Sequence, residues 1–283
     1  MQRREFLLKS SLIAAAGLAP ALPLSAQSAP PPAPAGQPHG AEPSEFVPLR
    51  RNVGYFRAGG STIGWLASPD ALVAVDSYFP NGAAELISRL PGRAGRTIDV
   101  LFNSHHHPDH VGGNASFRPV TKQIVAQRLV PQVQLAQARE RNTVSYQVYA
   151  DTLFDDQWRF EAGDEIVTAK FIGYASHTTS DSIVHFEKAN VVHVADLVFN
   201  RYYPMIDRPG GCDIKAWIRA LEWTVKTYPA DAIYIFGHAK KGYPLTGSHA
   251  ELLAIRDYLT GLLEFTDKAI KAGKSRDEHI GLQ

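Results

Sequence analysis

The 283-residue chain has a single cysteine, Cys212. One thiol excludes an internal disulfide framework and any zinc cage built from cysteines. An excess of charge of either sign is also missing, since 29 Lys and Arg face 28 Asp and Glu for a formal net of +1. Without a basic surplus, nucleic acid is not indicated as a partner. The apolar stretch Leu12 to Ala21, cut by Pro20, is too short to span a bilayer, which takes about 20 residues. What the chain does have is an ordinary globular balance, 45% hydrophobic and 20% charged, and eleven histidines. The histidines are the feature that needs an explanation.

Residues 1–26 read as an address. Charged Arg3-Arg4-Glu5 and Lys9 lead into the apolar stretch and end on Ser25-Ala26, the order of a cleaved signal peptide. Arg3-Arg4 followed by Phe6-Leu7 resembles a twin-arginine export signal, which implies a bacterial protein exported folded to the periplasm or beyond. An ordinary signal peptide whose basic region happens to hold two arginines is the alternative. Cleavage removes Arg3, Arg4, Lys9 and Glu5, taking the formal net charge from +1 to −1, and no membrane insertion is expected afterwards. Residues 27–48, with seven prolines between Pro30 and Pro48, read as an extended tether. The folded domain is expected over 49–283.

Within that domain, Val53 to Arg57, Thr62 to Ala67 and Leu72 to Asp76 read as a meander, punctuated by Gly59-Gly60 and Ser68-Pro69-Asp70. Gly82 to Leu90 reads as a helix, Thr97 to Phe102 as a buried strand, Gln123 to Ala126 as a strand and Pro131 to Arg141 as a helix. The second half repeats the order. Strands are expected at Glu165 to Ile172, Ser182 to Phe186, Asn190 to Ala195 and Ala232 to Phe236, and helices at Asp213 to Thr227 and Gly247 to Phe265. Strands then helices, twice, imply a two-sheet α/β sandwich with helices outside.

Directly after the buried strand comes Asn103-Ser104-His105-His106-His107-Pro108-Asp109-His110. Alternate residues of an extended segment share a face, so His105 and His107 point together while His106 points away. Pro108 then forces a turn that brings Asp109 and His110 alongside. Three imidazoles and a carboxylate suit one or two divalent ions. Further donors stand at the ends of expected strands: His177, Asp196 and His238.

This ordered set resembles the metallo-β-lactamase fold superfamily over about Val53 to Phe265. The resemblance implies a four-layer αββα sandwich, with His105, His107 and His177 at one metal, Asp109, His110 and His238 at a second, and Asp196 bridging both. Metallo-β-lactamases proper put Cys or Ser at the bridging position, whereas glyoxalase II-like thioesterases and lactonases put Asp, so Asp196 favours the latter. The third-ligand loop departs from the usual Gly-His-Thr-Pro-Gly-Ser, reading Ser176-His177-Thr178-Thr179-Ser180-Asp181. The basic glutathione-binding residues of a true glyoxalase II are absent from the short C-terminal segment.

The expected activity is that of a dinuclear zinc hydrolase acting on a small-molecule thioester, ester or lactone. Two Zn²⁺ would lower the pKa of a bridging water to about 7, with Asp109 orienting it. β-Lactams are an alternative substrate, since export places the enzyme where such drugs act, although Asp196 counts against them. Iron is an alternative metal, in a persulfide dioxygenase-like oxidoreductase. A flavodiiron protein does not fit, because Pro108 stands where those carry Glu and no residues remain for a flavin domain. A non-catalytic metal-binding domain is a third class; retention of all seven ligands counts against it.

Other polar residues receive plainer readings. His39, His185, His193, His249 and His279 are expected at the surface or satisfied locally, and His106 beside the site or in packing. Asp76 either orients a ligand imidazole or caps a turn. Cys212 reads as a small residue before a helix rather than a nucleophile. Tyr202, Tyr203 and Met205 either wall a substrate pocket or pack.

Overall fold

The computed structural model describes residues 44–173 and 175–281. The signal-like segment and the Pro-rich stretch up to residue 43 lie outside the described residues, as does Tyr174.

The chain enters through an antiparallel meander, β1 (Glu45–Arg50), β2 (Val53–Ala58), β3 (Ser61–Ala67) and β4 (Leu72–Val75). Its tight turns take left-handed residues, Arg51 and Asn52 after β1 and Gly59 and Gly60 after β2, the backbone that two-residue hairpins require. Then follow helix α1 (Pro80–Arg89), β5 (Ile98–Asn103), the one-turn helices α2 (Pro108–Val111) and α3 (Asn114–Phe117), β6 (Thr121–Gln127), α4 (Leu129–Glu140) and β7 (Thr152–Phe154). The second half holds β8 (Gln157–Ala162), β9 (Glu165–Phe171), β10 (Ser182–Phe186), β11 (Val191–Asn200), α5 (Ile214–Thr227), β12 (Ile233–Ala239), β13 (Thr246–Gly247), α6 (His249–Lys271) and α7 (Arg276–Ile280).

Strand alternation sorts the core into layers. On β4, Val73 and Val75 face a central core shared with Val100 and Phe102 of β5, Val167 of β9 and Val184 of β10. Leu72 and Ala74 face the other way, against Leu86 of α1 and Phe117 of α3. In the second half, Val192 and Val194 of β11 and Tyr234 and Phe236 of β12 meet Trp217 and Leu221 of α5 and Leu252 and Leu259 of α6, while Val191 and Ile235 join the central core. Helix, sheet, sheet, helix is the αββα order. The two sheets are hydrogen-bonded into one path, β7-β6-β5-β4-β3-β12-β11-β10-β9-β8, joined at the pairing of His238 with Ser61. No helix among the described residues is long and apolar enough to cross a membrane.

Three element boundaries differ from expectation. β1 begins at Glu45, so the first described strand takes residues 45–48 of the Pro-rich stretch into the sheet. Pro48 is tolerated there because β1 pairs only with β2, and an edge strand can spare a donor. The helix expected from Gly247 to Phe265 is α6, which starts at His249, after a capping box in which Ser248 and Glu251 bond each other's backbone N–H groups, and runs on to Lys271. β11 extends to Asn200, so Asp196 lies inside a strand instead of at its end. A break in the β11–β12 register around Ala195, whose φ is 45°, re-aims the next side chain as bulges do.

Candidate metal centre

Two loops deliver the imidazoles of the first group. β5 ends at Asn103 and releases His105 and His107 on the following loop, while His177 comes from the loop between β9 and β10. That loop lacks the glycine and proline of the family pattern, and Asp181 organises it instead. Its carboxylate accepts bonds from the Thr178 N–H at 2.7 Å, the Thr178 hydroxyl at 2.6 Å and the Ser176 hydroxyl at 2.5 Å.

Ring nitrogens of His105, His107 and His177 and a carboxylate oxygen of Asp196 lie within 4.8 Å of one another, all buried. Nε2 of His105 is 3.1 Å from Nδ1 of His107, which is 3.0 Å from Nε2 of His177. Their outer partners fix the tautomers. The Ser104 hydroxyl donates to Asp76 at 2.8 Å and therefore accepts from His105 Nδ1–H at 3.0 Å, leaving His105 Nε2 without a proton. His107 Nε2–H donates to Asp207 at 2.9 Å, leaving His107 Nδ1 without one. Two bare lone pairs converging in a buried space repel each other, and a cation between them removes the conflict.

The second group is Asp109 and His110 from α2 with His238 from the end of β12, again within 4.8 Å. His238 Nδ1–H donates to the Gly60 carbonyl at 2.9 Å, and its Nε2 lies 3.2 Å from both Asp109 and Asp196. His110 Nδ1–H donates to Asp76 at 2.8 Å, while its Nε2 lies 3.1 Å from Asp196. Asp196 thus stands between the groups, reaching His177 at 3.3 Å on the first side. Gly237 makes room for it, because a Cβ there would collide with Asp196 Oδ1. His110 Nε2 and Asp196 Oδ1 are both buried, and although they lie 3.1 Å apart neither makes a hydrogen bond among the described residues. Orphaned donor atoms in two convergent imidazole–carboxylate sets fit two divalent ions.

The electrostatics agree. Burial raises Asp196, but His238 and His110 outweigh it and hold its carboxyl well below the usual range. Burial depresses His238, yet Asp196 and Asp109 lift it to about 10, and His110 is likewise raised well above its ordinary value, by Asp196, Asp109 and Asp76 against burial. Protons therefore occupy the places where positive charge is wanted. A raised imidazole stabilises the metal-free protein fully below its unfolded pKa and loses that contribution as pH rises through about 10. Metal uptake at neutral pH must displace those protons. Calorimetry in buffers of different ionisation enthalpy will record net proton release, and metal affinity will weaken as pH falls.

Asp76 orients ligands in both groups. Fully buried, it accepts the Ser104 N–H at 2.7 Å on one oxygen, and the Ser104 hydroxyl and His110 Nδ1–H on the other. Its φ of 72° is the left-handed geometry that Asp tolerates better than most residues. Asp207, on the loop after β11, is the outer partner that sequence reading missed. It lies 100 residues from His107 in a segment without periodicity, so no local signal marks it. The Gly210 N–H bonds its other oxygen at 3.0 Å. Asp207→Ala should weaken the ion held by His107 about tenfold and leave the second ion's affinity unchanged, as read by chelator competition.

The remaining polar residues divide. His106 is buried and bonds Ser180 at 3.2 Å and Gln137 at 3.1 Å; with His107 and Asp207 it forms a third group of potential ligands, on the far side of the His107 ring. His249 is satisfied by the Tyr234 hydroxyl at 2.7 Å. His193 is a correction. Lying on β11, which is buried throughout, it is neither at the surface nor satisfied: both ring nitrogens lack a hydrogen-bond partner, and burial pushes it down to about 4. Gly64 leaves the space its ring fills. Cys212 is buried, and burial first, then nearby carboxylates, push its thiol up to about 11, which suits packing and not nucleophilic attack. His39 lies outside the described residues, as does the His279 side chain.

The family model described as the metallo-beta-lactamase superfamily matches residues 57–238, more than half of the chain. Among solved structures, the chain is similar to a metallo-beta-lactamase from Pontibacter korlensis, with 18% identity and a TM-score of 0.63 over 77% of this chain and 99% of that one. It is also similar to metallo-beta-lactamase IND-7, with 14% identity and a TM-score of 0.62 over 78% and 100%. A metallo-beta-lactamase from Hirschia baltica gives 19% identity and a TM-score of 0.58 over 77% and 98%. At such identities the likeness is one of fold. A search of curated proteins gives no match.

Proposed function

The chain belongs to the metallo-beta-lactamase superfamily, and from that premise we propose that it is a dinuclear zinc-dependent hydrolase that cleaves an acyl bond in a small thioester, ester or lactone. The observation that carries this reading is the carboxylate of Asp196, buried between two convergent ligand groups, within 3.3 Å of His177 on one side and 3.2 Å of His238 on the other. An aspartate there, in place of cysteine or serine, favours the thioesterase and lactonase branch of the resemblance over β-lactam cleavage. We further propose that the chain reaches the periplasm by twin-arginine export.

His105, His107 and His177 would hold one ion, Asp109, His110 and His238 the other, and Asp196 would bridge them. Two divalent ions, when bound, supply Lewis acidity for a carbonyl and bring a water's pKa to about 7. The chain contributes position and proton handling. Asp109 and His238 are the ligand residues open to solvent, at 22% and 19% exposure, so substrate approaches over them. Asp109 stays ionised: burial raises its carboxyl, but His110 and His238 outweigh that and hold it well below the usual range. It can therefore accept a hydrogen bond from the attacking water and fix its direction. His238 Nδ1–H, committed to the Gly60 carbonyl, is not available to protonate a leaving group. No side-chain nucleophile is required.

The test is a panel of thioester, ester, lactone and β-lactam substrates offered to the zinc-loaded protein. Turnover of one of the first three supports the proposal. Hydrolysis confined to β-lactams moves the assignment to the other branch, and no turnover by zinc-loaded protein contradicts it.

A further inference from the structure

Beside the metal centre, on the outer side of Phe199, a groove of about 430 Å³ opens between the end of β11, the residue following β12 and one face of α6. That is the size of a small-molecule site. Phe199 is its inner wall and also stacks on His238, with ring centroids 4.8 Å apart and planes at 14°. The outer wall is aromatic: Tyr202 and Tyr203 from the loop and Tyr258 from α6 line it, with the rings of Tyr203 and Tyr258 6.4 Å apart across the gap. These tyrosines are not packing residues. Tyr203 is 81% exposed and Tyr202 57%, and clustered exposed aromatics mark a binding surface more often than chance.

The charges in the groove choose its ligand. Arg201 and Lys240 line it, and neither side chain makes an ion pair or hydrogen bond among the described residues. The lone carboxylate on the wall, Glu251, is occupied by the Ser248 N–H and hydroxyl in the helix cap. Arg201 has a φ of 56°, in the left-handed region where a non-glycine residue is strained and where strain collects at functional sites. Two unpaired cations beside three tyrosine rings complement an anion carried on an apolar body.

We propose that this groove binds a small carboxylate with an aromatic or branched apolar body, the ring lying among Tyr202, Tyr203 and Tyr258 and the carboxylate on Arg201 and Lys240. The site is distinct from the metal ligands and does not depend on the hydrolase reading. Calorimetric titration of the metal-loaded protein with 4-phenylbutyrate and its neutral amide tests it, alongside an Arg201→Ala, Lys240→Ala double variant and Tyr203→Ala. Metal content of each variant serves as the control for folding. The acid should bind roughly tenfold more tightly than the amide, the double variant should remove that difference, and Tyr203→Ala should weaken both ligands. Equal affinity for acid and amide would overturn the proposal, as would acid binding that survives the double variant, which places the carboxylate on the metal ions instead. Absence of saturable binding up to about 10 mM would overturn it as well.

Discussion

Asp196→Ala should remove bound metal and hydrolysis together. Its carboxylate stands between the two ligand groups, 3.1 Å from His110, 3.2 Å from His238 and 3.3 Å from His177. With metal present, losing it takes away a ligand from each ion and several kcal/mol of charge stabilisation, which corresponds to a fall in kcat/KM of roughly a thousandfold or more. The metal-free protein suffers too, since His110 and His238 are raised by the carboxylates around them. Removing one partner from a buried charge cluster costs about 3 kcal/mol, so the metal-free variant should unfold at lower denaturant with an unchanged m-value. A variant that retained its metal and its activity would show that the two groups are not coupled through this carboxylate.

Asp76→Ala should damage both ligand groups without touching either ion. The substitution orphans three donors at once, the Ser104 N–H, the Ser104 hydroxyl and His110 Nδ1–H, in a fully buried place. Each unsatisfied group costs about 1–3 kcal/mol, and loss of a carboxylate that orients ligand imidazoles lowers metal affinity about 10–100-fold. Asp76→Asn should not rescue the loss. Donors face both carboxylate oxygens, so an amide nitrogen meets another donor whichever way it turns. If Asp76 merely capped a turn, the asparagine variant would behave as wild type. Chelator competition with thermal unfolding separates the two roles.

How much of this was legible in the sequence depends on range. His105, His107, Asp109 and His110 could be paired with a geometry because they are close along the chain and strand alternation is a local rule. Asp196 was recognisable as a donor but was expected at a strand end. It lies within β11, aimed by the register break at Ala195, and a left-handed alanine leaves no mark in a sequence. Asp207 was invisible because its partner is 100 residues away. His193 was misread because β11 is buried on both faces, so a histidine there has no solvent to turn to. β1 was hidden by its own proline, which is acceptable only because that strand has a single neighbour. The layer order was legible, since the repeated strand–helix pattern and the metal motif both implied it. The hydrogen-bonded junction of the two sheets rests on the single pairing of His238 with Ser61, which no periodicity announces.

The central claim is that two convergent ligand groups share Asp196 and each holds an ion. Elemental analysis of the protein, saturated with zinc and then dialysed exhaustively, tests it most directly. The account predicts about two zinc ions per chain, with the Asp196→Ala variant well below that. About one ion per chain, or iron retained in preference to zinc, would contradict the dinuclear zinc centre and move the chemistry towards a mononuclear oxidoreductase.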